Sequence, residues 1–198
     1  MNSKKKNSSA KKVKQKAAIT QVVPEHENHN YLFFYSQDSP FSNFYSVSFQ
    51  DENGVHFFSS EQCMMYGKAV LFGDEEAQVK IMETPTDSPR TCKLLGRRVK
   101  NFDEKVWMEN AETIVENACY HKFTQNPKLK RELLNTGDRE LIEAAPNDRR
   151  WGIGYNETTA MTVPREKWGK NLLGQVLMRV RETIRREGAM MKSTGTTT

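Results

Sequence analysis

The sequence is poor in the residues that usually mark metal or redox chemistry, with 3 cysteines and 4 histidines among 198 residues. Cys63, Cys92 and Cys119 are odd in number and far apart, which argues against a disulfide framework. Free thiols suit a reducing compartment, so an intracellular location, cytoplasmic or nuclear, is expected. His26, His29, His56 and His121 form no His-Glu-x-x-His pattern, and no Cys-x-x-Cys spacing occurs, so a dedicated zinc site has no support. Nothing local pairs a cysteine with a histidine for nucleophilic catalysis. Phosphate-cradling loops of the P-loop and Gly-x-Gly-x-x-Gly types are also missing. No apolar run is long enough to span a membrane, and no secretory apolar segment follows the first lysines. No internal repeat is found.

Acidic residues are missing from the start of the chain. Residues 1–21, MNSKKKNSSAKKVKQKAAITQ, hold seven lysines and no Asp or Glu. The closing KSTGTTT is small and polar. Neither end can bury enough apolar surface to order itself. Residues 1–29 and 189–198 are therefore expected to be disordered, flanking one domain over residues 30–188. The net charge of +5 misleads: without the seven tail lysines, 23 basic side chains face 25 acidic ones, a balance of −2. The domain body is not a basic nucleic-acid-binding surface. Any nucleic-acid contact is expected through the lysine-rich tail, which otherwise reads as a solubilising extension.

What is present reads as α+β, a helix-rich single domain with a small β-sheet. YLFFYS at 31–36 and the alternating YSVSFQ at 45–50 are strand candidates, the latter with Tyr45, Val47 and Phe49 on one face. Asn53-Gly54 between YSVSFQ and VHFF predicts a hairpin. Helical patterns follow over 59–72, ended by Gly73, over DEEAQVKIMET, and from Ser88-Pro89. The longest begins at Asp103 and stops at Pro127, with Trp107, Ala111, Ile114, Val115, Ala118 and Cys119 on one stripe. PKLKRELLNTG is another helix, RELIEAA a short strand or helical turn, and NLLGQVLMRVRETIRRE a closing amphipathic helix.

Two stretches carry candidate chemistry. In FFSSEQCMMYGKA, residues 57–69, Ser59 and Gln62 fit a capping box, which puts Glu61 in the first turn of a helix. An acid there complements the helix dipole, or it is an ionised carboxylate at the floor of a pocket. Lys68 shares its face about 10 Å further along, and Met65 and Phe72 make that face partly apolar. In EAAPNDRRWGIGYN, residues 143–156, Asp148 fits an ordinary turn. Trp151 beside Gly152 and Gly154 offers a stacking surface where the backbone lets a ligand come close.

SPFSNF, FSSEQCMMYGKAVLFGD, LGRRVKNFDEKVW, KFTQNPKLKRELLNTGDRELIEAAPNDRRWGIG and GKNLLGQVLMRVR occur in this order. With them the chain resembles the NADAR family, the YbiA-like N-glycosidases, over about residues 31–187. The resemblance implies a YbiA-like fold and hydrolysis of an N-glycosidic bond to ribose. Family members include enzymes acting on ribosylamino-pyrimidine phosphates of riboflavin synthesis and enzymes removing ADP-ribose from guanine bases. It also implies functional roles for Glu61 of Ser60-Glu61-Gln62, for Asp148 ahead of Trp151-Gly152, and for Trp107. One departure is Cys63, which follows Gln62 where an aromatic is common in relatives.

The residue types suit that chemistry. Cleaving a ribose C–N bond builds oxocarbenium-like charge, which a fixed carboxylate stabilises while orienting water. Glu61 is expected to stay ionised under the helix dipole and to perform this role. Asp148 positions water or binds a sugar hydroxyl. Trp107 or Trp151 stacks on the base, although Trp107 also fits a purely structural role. Lys68 and Arg97 are candidates for phosphate contacts, and Lys68 alternatively for a Schiff base with an opened ribose. Asn43 and Phe44 of SPFSNF close the pocket. No step calls for a metal or cofactor. The expected function is removal of ADP-ribose from guanine bases of nucleic acid. Its alternatives are cleavage of riboflavin intermediates and a non-catalytic module that binds ADP-ribose or a nucleotide.

Overall fold

The computed structural model describes residues 23–27 and 29–194. Residues 1–22, 28 and 195–198, which hold most of the expected first tail and the end of the second, lie outside the described residues.

The first strand, β1 (Tyr31–Phe34), is shorter than its aromatic run. It pairs in parallel with β4 (Glu140–Glu143), the strand reading of RELIEAA, with Tyr31 opposite Glu140 and Phe34 opposite Glu143. Parallel pairing requires a crossover, and the intervening chain supplies one of over a hundred residues. The predicted hairpin forms between β2 (Phe49–Gln50) and β3 (His56–Phe57), with Gly54 at φ +78 in the turn. The expected strand over 45–50 is cut to its last two residues, although Val47 still donates to the Phe58 carbonyl at 2.8 Å. Tyr45, Val47 and Phe49 do face inward. The result is two separate two-stranded sheets rather than one.

Helices fill the crossover. Ser59 caps α1 (Ser60–Leu71), its hydroxyl accepting from the Gln62 N–H at 3.1 Å. The Gln62 side chain reaches back to the Phe58 N–H at 2.9 Å, one residue earlier than in a standard capping box. Gly73 at φ +65 ends the turn after α1. Next come α2 (Glu75–Met82), α3 (Pro89–Gly96), α4 (Glu104–Gln125) and α5 (Pro127–Asn135). Asp103 caps α4 through the Val106 N–H at 2.9 Å. The last two helices are α6 (Glu157–Ala160) and α7 (Leu172–Thr194). Buried Leu173, Val176, Leu177, Val180 and Ile184 seat α7 against α4 and β4. The first half of α1 is buried all round, among α2, α3 and α4. That is why its periodicity is weak in the sequence: no face is left for solvent.

Ordered structure extends past residues 30 and 188 at both ends. His26 is buried, its Nε2 lies 2.9 Å from the Val163 carbonyl, and its ring stacks on Trp168. Val23 bonds to Met161 at 3.0 Å, so the packed body starts before residue 30. At the other end α7 continues through residue 194, past the expected boundary at 188. Among the described residues, no helix is long and apolar enough to cross a membrane.

Candidate active site

The buried first turn of α1 fixes the site. Glu61 is 4 % exposed, and its N–H donates to the Asn43 carbonyl at 2.9 Å. The helix start and the SPFSNF loop are thus one unit. Lys122, fully buried on α4, donates to the Ser42 carbonyl at 2.8 Å and pins the same loop from behind. One and two turns along α1, Met64, Met65 and Lys68 face the same way as Glu61.

These side chains line a cavity of about 180 Å3. Lys93, Gly96 and Arg97 close it from α3, Trp107 from α4 and Leu173 from α7. Glu143, at the end of β4, and Asp148 and Trp151 of the following loop complete it. Outward it continues into a basin of about 680 Å3, where Arg90, Lys93 and Arg97 form one wall and Tyr35, Gln37 and Asp38 line another part.

The loop after β4 is held by its backbone. Asp148 Oδ1 accepts from the Arg150 and Trp151 N–H groups at 2.9 and 2.8 Å. Ile153 donates to the Glu143 carbonyl at 3.0 Å, and Leu173 to Trp151 at 3.1 Å. A Cβ on Gly152 would stand 2.8 Å from the Glu143 oxygen, so the close approach requires glycine. Asn171, at φ +53, spans the end of β4: its Oδ1 accepts from the Glu143 N–H at 2.9 Å and its Nδ2 donates to the Leu141 carbonyl at 2.8 Å.

Electrostatics correct one expectation. The helix dipole does not keep Glu61 in the usual carboxylate range: burial pushes its carboxyl up to about 7, opposed by Lys93 and Arg97 and reinforced by Asp148, so near neutral pH it is divided between charged and neutral forms. Stripping water from a carboxylate outweighs the partial charge of a helix end. Glu143 is pushed up to about 8, again mainly by burial. The Lys68 ammonium is lowered by burial and by Arg150; it donates to the Gly96 carbonyl at 2.9 Å and lies over the Phe102 ring at 4.0 Å.

Of the residues singled out in the sequence, Glu61, Asp148, Asn43, Phe44, Lys68, Arg97, Trp107 and Trp151 all line the one cavity. Trp107 serves two ends, packed in the core and lining the cavity. Gly152 is different: it is buried beneath the loop and shapes it, rather than lining the cavity. Sequence reasoning missed Glu143 and Lys93. Lys93 sits one turn before Arg97, a signal that was readable; Glu143 was one acid in a loop-like run. Among the described residues no group of three His, Cys, Asp or Glu side chains is placed to hold a metal ion.

Residues 32–185 match the NADAR domain model. The chain belongs to the NADAR family. The N-glycosidase R617 of Acanthamoeba polyphaga mimivirus is 41% identical over 169 residues, covering 79% of this chain and 97% of that protein. A second NADAR relative is the chloroplastic riboflavin biosynthesis protein PYRR of Zea mays, 31% identical over 84% of this chain but only 27% of its own length. The NMR structure of the E. coli protein YbiA superposes with a TM-score of 0.65 at 28% identity, over 87% of this chain and 92% of that one. The NADAR chain thus has the helix-rich α+β architecture that its motifs imply, and the motifs converge on one cavity.

Proposed function

We propose that this N-glycosyl hydrolase of the NADAR family removes ADP-ribose from guanine bases of nucleic acid. The supporting observation is the division of the cleft. The inner cavity, about 180 Å3 and lined by Glu61, Glu143 and Asp148 together with Lys68, Lys93 and Arg97, is smaller than a typical small-molecule pocket and suits a ribosyl group. The outer basin, about 680 Å3, is faced by Arg90, Lys93 and Arg97, for none of which a salt bridge is found within the described chain. A substrate with a long phosphate-bearing arm uses both compartments. Glu61 stabilises charge on the ribose and activates water; Asp148 positions that water or a sugar hydroxyl. Trp151 or Trp107 stacks on the base. Lys68 and Arg97 contact phosphate. Asn43 and Phe44 close the inner compartment.

A second reading, cleavage of a ribosylamino-pyrimidine phosphate, draws on the name of the Zea mays relative and needs only one phosphate contact. The lysine-rich residues 1–22 serve as a sequence-independent tether to a modified strand.

Incubation with ADP-ribosylated guanine oligonucleotides and ribosylamino-pyrimidine phosphates, with products identified by mass, tests the substrate. The expected product is free ADP-ribose with unmodified guanine. Turnover of the pyrimidines alone reverses the ranking. Removing residues 1–22 is expected to slow reaction on a long strand at low salt and to leave a small ribosylated base unaffected. Equal effects on both remove the tether.

A further inference from the structure

Glu143 stands where the inner cavity meets the outer basin and lines both. The residue as a whole is half-buried, but its Oε2 is shielded from solvent and has no hydrogen-bond partner. A shielded carboxylate oxygen without a donor is costly; a carboxylic acid in the same place has a proton to offer a ligand. The charged groups that line the two compartments with it are Glu61 and Lys68 from α1, Arg90 and Lys93 from α3, Arg97 just after α3, Asp148 from the loop that follows β4, and Asp38 across the basin. None of them is found hydrogen-bonded to it, whereas its own backbone N–H is fixed by Asn171 at 2.9 Å. Its side chain is therefore aimed by a rigid strand end and left open to whatever enters. Burial raises both carboxyls, Glu143 to about 8 and Glu61 to about 7, with Lys93 opposing at each. Of the two, only Glu143 has an oxygen that is both shielded and without a partner, which suits the pair to different roles.

We infer that Glu143 is the catalytic acid that protonates the departing base, working with Glu61 across the inner cavity. The role rests on the N-glycosidase reading. In the step, the C1′–N bond breaks and its electron pair stays on the base nitrogen. The Glu143 proton passes to that nitrogen. A water oxygen bonds to C1′, and the proton it sheds goes to Glu61. Transfer of that proton from Glu61 to Glu143 restores the starting state, so the net reaction consumes one water and yields free base and free sugar. A carboxylic acid for the leaving group and a carboxylate for the water is the general division of labour in glycoside hydrolysis.

The test compares two leaving groups. One substrate is the ADP-ribosylated guanine oligonucleotide. The other is 4-nitrophenyl ribofuranoside 5-phosphate, whose leaving group departs as a stable anion and needs no proton. Glu143→Gln is expected to lose about 100-fold in kcat on the guanine substrate and to stay within about threefold on the nitrophenyl one. In the wild type, kcat/KM for the guanine substrate is expected to fall as pH rises through about 8, with no such fall for the nitrophenyl substrate. Equal losses on both substrates, or none on guanine, overturn the role. Should the variant not fold, matching alkaline falls on both substrates in the wild type overturn it as well. A wild-type protein that cleaves neither substrate, nor the ribosylamino-pyrimidine phosphates, overturns the N-glycosidase reading itself, which is a different result from an active enzyme indifferent to Glu143.

Discussion

At the scale of single residues, the site is governed by desolvation. Glu61 sits in the positive field of a helix start, yet its burial raises rather than lowers its carboxyl. A group that titrates near neutrality can both hold charge and take a proton, which a surface carboxylate cannot do efficiently. Glu61→Gln keeps the size of the side chain and the N–H bond to Asn43. It is expected to leave the fold and KM nearly unchanged while lowering kcat by about 100-fold or more. Steady-state kinetics with a melting curve checks this, and wild-type turnover by the variant would remove Glu61 from the mechanism. The motif pointed to Glu61 and Asp148 because each stands beside residues with strong local signatures, a helix cap and a turn. Glu143 has no such signature: only the pairing of β4 with β1 puts its side chain in the cavity.

At the scale of elements, the site depends on how closely α7 and α3 approach their neighbours. A Cβ on Gly174 would lie 2.0 Å from the Leu141 carbonyl and 2.5 Å from the Asn171 amide. Both atoms belong to the clamp that holds the Glu143 end of β4, and the carbonyl cannot rotate away. Gly174→Ala is therefore expected to destabilise by about 1–3 kcal/mol and to lower activity. Gly188, on the same helix with nothing within 4 Å of its would-be Cβ, provides the contrast. Gly188→Ala is expected to stabilise by up to about 1 kcal/mol through helix propensity, with activity unchanged. Denaturant melts of both variants measure the difference, and similar effects would mean that the approach of α7 to β4 is not tight. The helices themselves were legible from capping and spacing, except the four-residue α6. The loss of residues 45–48 from the expected strand was not, because Tyr45–Ser48 has the right alternation but too few strand partners.

At the scale of the whole molecule, buried titrating groups set the pH dependence of stability. Glu61 and Glu143 bind protons more tightly when folded than the usual 4.5, so between that value and about 8 the unfolded chain carries fewer protons and stability falls as pH rises. Lys122 acts in the other direction: its ammonium, lowered to about 8 by burial, makes the folded state lose its proton first, and stability recovers above that pH. On the acid side Glu76, held down to about 2 by Lys100 and Lys80, loses its contribution as pH drops below 4.5. The melting temperature is expected to peak near pH 5 and to fall by several degrees towards pH 8. Calorimetry across pH 3–9 checks it. In Glu143→Gln the fall should be shallower; a fall of the wild-type size would mean that Glu143 is not protonated when folded.

The sequence by itself determined every helix but the short α6, the hairpin turn, the family motifs and most of the cavity's residues, because caps, glycine turns and apolar spacing are local signals. Tertiary structure decided the rest. It joined β1 to β4 across more than a hundred residues, drew His26 into the packed body, and set Gly152 beneath the loop rather than in the cavity. It also decided which carboxyls hold protons. Proton affinity depends on how much water a side chain loses and which charges face it, and both are fixed by residues distant in sequence.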